Sequence, residues 1–126
     1  MKVLFIASEC APIAKVGGLA DIIGSLPQAL KKEQVDVAVA IPFYGAIRPD
    51  KNFRLFKENF SLNFCGQKEF FDLWQTSING FPLFLIKNNK FFEGGIYFEK
   101  DASSGGGENI RFTASTWSGW MVILPL

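Results

Sequence analysis

The chain opens with an unbroken apolar run over residues 3–7, of strand length, as expected for a strand covered on both faces. Ser8, Glu9, Cys10, Ala11 and Pro12 then read as a turn leading to Lys15, Val16, Gly17 and Gly18. Leu19, Ile22, Ile23, Leu26 and Leu30 recur at helical spacing and mark one apolar stripe. Pro27 lies inside that stripe and lacks a backbone donor, which predicts a kink or a frayed last turn. Lys31 and Lys32 suit the negative pole at the helix end. A second apolar run covers residues 35–41 and is closed by Pro42. Strand, helix and strand at this spacing make a βαβ unit.

Beyond Pro42 the pattern changes. Residues 53–64, 69–77 and 81–86 carry alternating or continuous apolar positions, separated by Cys65-Gly66-Gln67 and by Asn79-Gly80. Asn-Gly between two apolar runs is a hairpin signal, because both turn residues must take positive φ. The segment therefore reads as an antiparallel excursion that leads back into the main sheet, and the fold class as α/β. Residues 87–107 are polar and glycine-rich and predict a mobile loop, with a last helix starting near Glu108.

Composition narrows the chemistry. A length of 126 residues with 48% hydrophobic and 20% charged residues is that of one ordinary domain with a packed core. Thirteen basic against twelve acidic residues leave a formal charge of +1, so nothing electrostatic points to nucleic acid or an acidic membrane. The first apolar run stops at Ser8-Glu9, short of the ~7–15 residues of a signal-peptide core. No stretch approaches the ~20 apolar residues of a membrane-spanning helix. A cytoplasmic, reducing location is expected, with Cys10 and Cys65 as free thiols and no metal site built on them. The chain has no histidine, which removes that residue as general base, metal ligand and pH switch. Its 14 phenylalanines imply a large aromatic core or surface meant for a partner.

The turn between the first strand and the first helix holds the candidate chemistry. Paired glycines there let a backbone approach a ligand closely, and the helix behind them offers N–H groups to an anion. Lys15 adds a positive charge beside them, the combination a departing diphosphate needs. Gly17, Gly18 and Gly24 do not form the G-x-G-x-x-G dinucleotide fingerprint, and there is no G-x-x-x-x-G-K-[ST] loop. Taken alone, a glycine pair after a strand is more often just a tight turn.

The run from Lys2 to Glu9, then Lys15-Val16-Gly17-Gly18-Leu19-Ala20-Asp21, then Gly24-Ser25-Leu26-Pro27, closely resembles the amino terminus of bacterial glycogen synthases and plant starch synthases. The likeness is dense over residues 1–45, includes Pro42 and Tyr44-Gly45, and is weaker over residues 81–97. It implies a partial Rossmann-like amino-terminal domain of a two-domain GT-B glycosyltransferase, with the second domain outside this chain. It implies retaining transfer of glucose from ADP-glucose to the non-reducing end of an α-1,4-glucan, with no cofactor and no metal. Under the resemblance Lys15 contacts the sugar nucleotide, and Gly17 and Gly18 place N–H groups at the same end of the cleft. Asp21 and Glu9 match acidic positions on the sugar side. Read from the residues alone, Asp21 equally complements the positive pole of a helix and Glu9 equally caps the turn.

The departures matter too. At Phe91-Phe92-Glu93-Gly94 the family carries an aromatic residue, an aspartate and an arginine, whereas here the acid is Glu93 and Gly94 stands in the arginine's place. Glu108-Asn109 with Arg111-Phe112 looks like the family's helix start, one residue short, and the likeness fails after Ala114. Met121 onward reads as an apolar tail broken at Pro125. The chain is thus expected to be an amino-terminal fragment, inactive alone, with the family's histidine beyond it. It should also leave a parallel strand edge unpaired and Phe91, Phe92, Trp117, Trp120 and the final Met121 to Leu126 exposed. The alternatives are a non-catalytic sugar-nucleotide or glucan-binding module, and a UDP-glucose-using glycosyltransferase of similar architecture.

Overall fold

In the computed structural model, which describes residues 1–94 and 121–125, β1 (Lys2–Ala7), α1 (Gly18–Lys32) and β2 (Asp36–Pro42) form the expected βαβ unit. The two strands pair in parallel, with Val3 beside Val37 and Phe5 beside Val39. Val3, Phe5 and Ala7 are buried along β1, and Phe5 and Val39 are fully enclosed. On α1, Ile23 is fully buried and Leu19, Leu26 and Leu30 pack against the core. Ile22 departs from the expected stripe and stays half exposed, since it points about 100° away from Ile23 around the helix. The helix runs on through Pro27 to Lys32, so the last turn is formed.

β3 (Arg54–Phe64), β4 (Gln67–Ile78) and β5 (Phe81–Lys87) supply the antiparallel excursion. The sheet order is β3-β4-β5-β2-β1-β6, so β5 returns beside β2 and pairs with it in parallel. Both connecting turns take positive φ at their two central residues: 50° and 75° at Cys65 and Gly66, 49° and 82° at Asn79 and Gly80. Those are the angles of the turn type that matches strand twist, which is why Asn-Gly announced it. The second turn is tied to α1, because Asn79 Nδ2 donates to the Gly24 carbonyl at 3.2 Å and Lys31 Nζ donates to that of Gly80.

Three expectations change. β6 (Met121–Pro125) pairs antiparallel with β1, so the parallel edge expected to lie open is covered. Residues 87–94 are not loose: the end of β5 is followed by a short helix, α2 (Asn89–Phe92), capped by the Asn88 side chain. Gly45 N–H donates to the Phe92 carbonyl at 3.0 Å, and Ala46 N–H to that of Gly94 at 2.9 Å, which fastens the segment to the loop after β2. Phe91 and Phe92 are accordingly half-buried rather than exposed. Phe91 stacks on Phe71, and Phe92 meets Tyr44 edge to face. The expected helix near Glu108, Trp117, Trp120 and the remainder of the predicted loop lie outside the described residues.

Candidate functional site

The K-x-G-G turn is built where β1 ends against β2. Tyr44, just beyond β2, donates its hydroxyl to the Ser8 carbonyl at 2.7 Å in a buried contact, which closes the strand end. A buried tyrosine brings a polar tip that needs a partner. Cys10 and Ala14 exchange backbone hydrogen bonds, each at 2.9 Å, and Ala11 N–H donates to the Ala20 carbonyl at 3.0 Å. Burial pushes the Cys10 thiol up from 9.0 to about 12, so it is inert here rather than a nucleophile.

Glu9 organises the rest. It is 1% exposed, and its carboxylate accepts N–H bonds from Val16 at 2.8 Å, Gly17 at 3.3 Å and Ala20 at 3.2 Å. Gly17 is the N-cap of α1 and has no side chain to cap with, so the carboxylate takes over that role from β1's end of the turn. Its charge also lies at the positive pole of the helix. The expectation that the helix start offers its N–H groups freely to an anion therefore narrows. Gly18 and Leu19 remain as the first-turn donors without an acceptor in the helical ladder.

Lys15 and Asp21 face solvent and pair with each other at 2.7 Å, their side chains 51% and 58% exposed. Asp21 sits in the first turn of α1, where a carboxylate also complements the helix dipole. The structure thus brings Lys15, Gly17, Gly18, Asp21 and Glu9 into one turn, with Glu9 beneath it and the Lys15–Asp21 pair on its surface.

The three glycines of this region differ in what the fold asks of them. A Cβ on Gly24 would come within 2.8 Å of the Ala11 carbonyl oxygen, so helix and turn can pack this closely only with glycine there. A Cβ on Gly17 would meet Glu9 Oε1 at an ordinary 3.7 Å, and one on Gly18 would meet nothing within 4 Å. Neither residue takes positive φ. The tight-turn explanation therefore has no geometric support at Gly17 or Gly18, whereas the open space above Gly18 suits a ligand drawn close to the backbone.

Elsewhere, an open polar cavity of about 200 Å³ lies beside Asn59, Asp72, Lys87 and Asn88 and shares no residue with the turn. Among the described residues no cluster of His, Cys, Asp and Glu could hold a metal ion. No described helix is long and apolar enough to cross a membrane.

Comparison with known proteins gives this geometry a context. A family model described as the starch synthase catalytic domain matches residues 2–123. The chain is 38% identical over 101 residues to a glycogen synthase of Kosmotoga olearia, covering 79% of this chain and 21% of that protein. A glycogen synthase of Gloeobacter violaceus is 62% identical over 45 residues, 36% of this chain and 10% of that one. Among solved structures, the catalytic domain of starch synthase IV from Arabidopsis thaliana, bound to ADP and acarbose, matches with a TM-score of 0.68 at 32% identity. That match covers 76% of this chain and 21% of the other. The chain spans about a fifth of the length of the first relatives it matches.

Proposed function

Since the chain belongs to the starch synthase catalytic domain family, we propose that its K-x-G-G turn is the donor-diphosphate corner of a glycogen or starch synthase. The reaction is retaining transfer of glucose from ADP-glucose to the non-reducing end of an α-1,4-glucan, carried out in a reducing, cytoplasmic compartment. Lys15 meets the charge that grows on the diphosphate as its bond to glucose breaks, and the Gly18 N–H adds a donor at the same place. Gly17 and Gly18 keep the backbone bare so that the phosphates approach it, and Asp21 lies on the sugar side of the turn while Glu9 lies beneath it. The 126 residues supply one wall of the cleft, and a second Rossmann-like domain supplies the other.

The observation that carries this reading is the contrast among the glycines: Gly24 is required by packing, whereas Gly17 and Gly18 are not. The relative solved with ADP and acarbose supports the nucleotide and the glucan as ligand classes. The test is calorimetric titration of the folded chain with ADP-glucose, UDP-glucose and a maltooligosaccharide. Binding of ADP-glucose that is lost in Lys15→Ala supports the reading. A preference for UDP-glucose replaces the donor, and no heat from any of the three sinks the proposed site. Glucan elongation by these 126 residues alone is expected to be undetectable, since they carry one wall of the cleft.

A further inference from the structure

Glu9 is the only charged side chain among the buried described residues, and a charge is buried at large cost unless its partners repay it. Its partners are the backbone of the turn itself. Backbone bonds fasten Cys10 to Ala14 and Ala11 to Ala20. Between these anchors, the N–H groups of Val16 and Gly17 are held by Glu9 Oε2, and that of Ala20 by Oε1 as well as by the Gly17 carbonyl. Lys15 is therefore suspended between Ala14, fixed by Cys10, and Val16, fixed by Glu9. We infer that Glu9 is a positioning residue: it touches no ligand, and it sets the direction in which Lys15 and the Gly18 N–H are presented.

The inference rests on the donor-site reading for its purpose and on the hydrogen bonds for its mechanism. It moves Glu9 from a sugar-contacting role to one beneath the turn, because a 1% exposed carboxylate with both oxygens engaged has little left to offer a hydroxyl. Its two oxygens do different jobs, and that makes the substitution pattern specific. Glutamine has one acceptor oxygen and one amino group. It can keep Val16 and Gly17, or it can keep Ala20, but it then turns an N–H against the other.

The experiment compares the full chain with Glu9→Gln, Glu9→Ala, Lys15→Ala and Glu9→Ala/Lys15→Ala, by amide hydrogen exchange and by ADP-glucose titration. In Glu9→Ala the Val16, Gly17 and Ala20 amides should exchange about tenfold faster or more. The Phe5 and Val39 amides, in the central strands, should be unchanged. Glu9→Gln should lose protection at one set only and remain folded if the alanine variant does not. In the titration, Glu9→Ala should weaken ADP-glucose about as much as Lys15→Ala does, and the double variant should be no weaker than Lys15→Ala, since both changes remove one delivered charge. Unchanged exchange at Val16 and Gly17, or effects that multiply in the double variant, would overturn the inference. A wild-type chain that exchanges as expected but does not bind ADP-glucose would overturn the donor-site reading and this purpose for Glu9, while leaving its hold on the turn established.

Discussion

The K-x-G-G turn and the β3–β4 hairpin invert the usual relation between residue type and burial. At the turn a charged side chain, Glu9, is enclosed and the lysine it serves stands in solvent. In the hairpin large apolar side chains stand in solvent: Phe56 is 58% exposed, Leu62 55% and Phe70 51%. β3 has no buried residue, and as an edge strand it carries register shifts between Leu55 and Lys57 and between Lys57 and Phe60. Such irregularities keep an edge from recruiting another strand. The turn is held by directional bonds that fix its shape. The hairpin is held by its ladder and by ring contacts such as Phe60 on Phe71, which tolerate change.

The largest way to test this contrast uses one residue type in two settings. Phe5 is 0% exposed, and Phe5→Ala should cost about 3–5 kcal/mol in a urea titration. Phe56 keeps an edge-to-face contact with Phe84, and Phe56→Ala should cost about 1 kcal/mol. Equal costs would show that the hairpin is as tightly packed as the parallel strands. A second pair sharpens the argument within the turn. Gly24→Ala should lose about 1–3 kcal/mol by crowding the Ala11 carbonyl. Gly18→Ala should leave stability within about 0.5 kcal/mol and still weaken ADP-glucose, because its methyl group enters space that is open in the protein. If Gly18→Ala destabilises the chain as much as Gly24→Ala, the glycine pair belongs to the fold.

The two regions were also legible to different degrees. The strands of the hairpin followed from alternation broken at Cys65-Gly66, and the return from β4 to β5 followed from Asn79-Gly80, whose positive φ values are a local demand that sequence states directly. The βαβ unit followed from Phe5, Ile23 and Val39, whose burial needs no knowledge of distant partners. What escaped were long-range pairings: β6 on β1 joins segments more than a hundred residues apart, and α2 looked like loop because Asn88 caps it while Gly45 and Ala46 hold it from elsewhere. At the site, the glycine pair between strand and helix and the resemblance to the family marked Lys15, Gly17 and Gly18. That Glu9 caps the turn was one of two readings open from the residues, and choosing between them depends on how the chain folds back between Cys10 and Ala14 to bring the Val16, Gly17 and Ala20 N–H groups onto it.

The cysteines repeat the contrast as a chemical readout. Cys10 is buried with its thiol near 12, and Cys65 is exposed at the tip of the hairpin. At pH 8 a thiol reagent should label Cys65 in the folded chain and reach Cys10 only on unfolding. The linkage follows from the same shift. With the folded value above the unfolded one, Cys10's contribution is fully present below about pH 9 and lost as the pH rises toward 12. Stability of the wild-type chain should therefore fall over that window more steeply than that of Cys10→Ser, followed by urea midpoints. Labelling of Cys10 in the folded chain would mean that the turn opens far more readily than its hydrogen bonds imply.

The smallest expected effect lies on the surface of the turn. Lys15 and Asp21 touch at 2.7 Å, but with both side chains more than half exposed the pair competes with water and salt. Asp21→Asn should shift the urea midpoint by an amount worth less than about 1 kcal/mol, and less again in high salt. A weak pair in this position suits the proposed donor site. A lysine locked into a strong buried pair would have to break it before meeting a phosphate, whereas this one changes partners at little cost. Glu9 below is held strongly and Lys15 above is held weakly, so the turn stays in place while its charge is free to move to a ligand. A loss of several kcal/mol in Asp21→Asn would invert that order, making the surface pair the element that holds the turn.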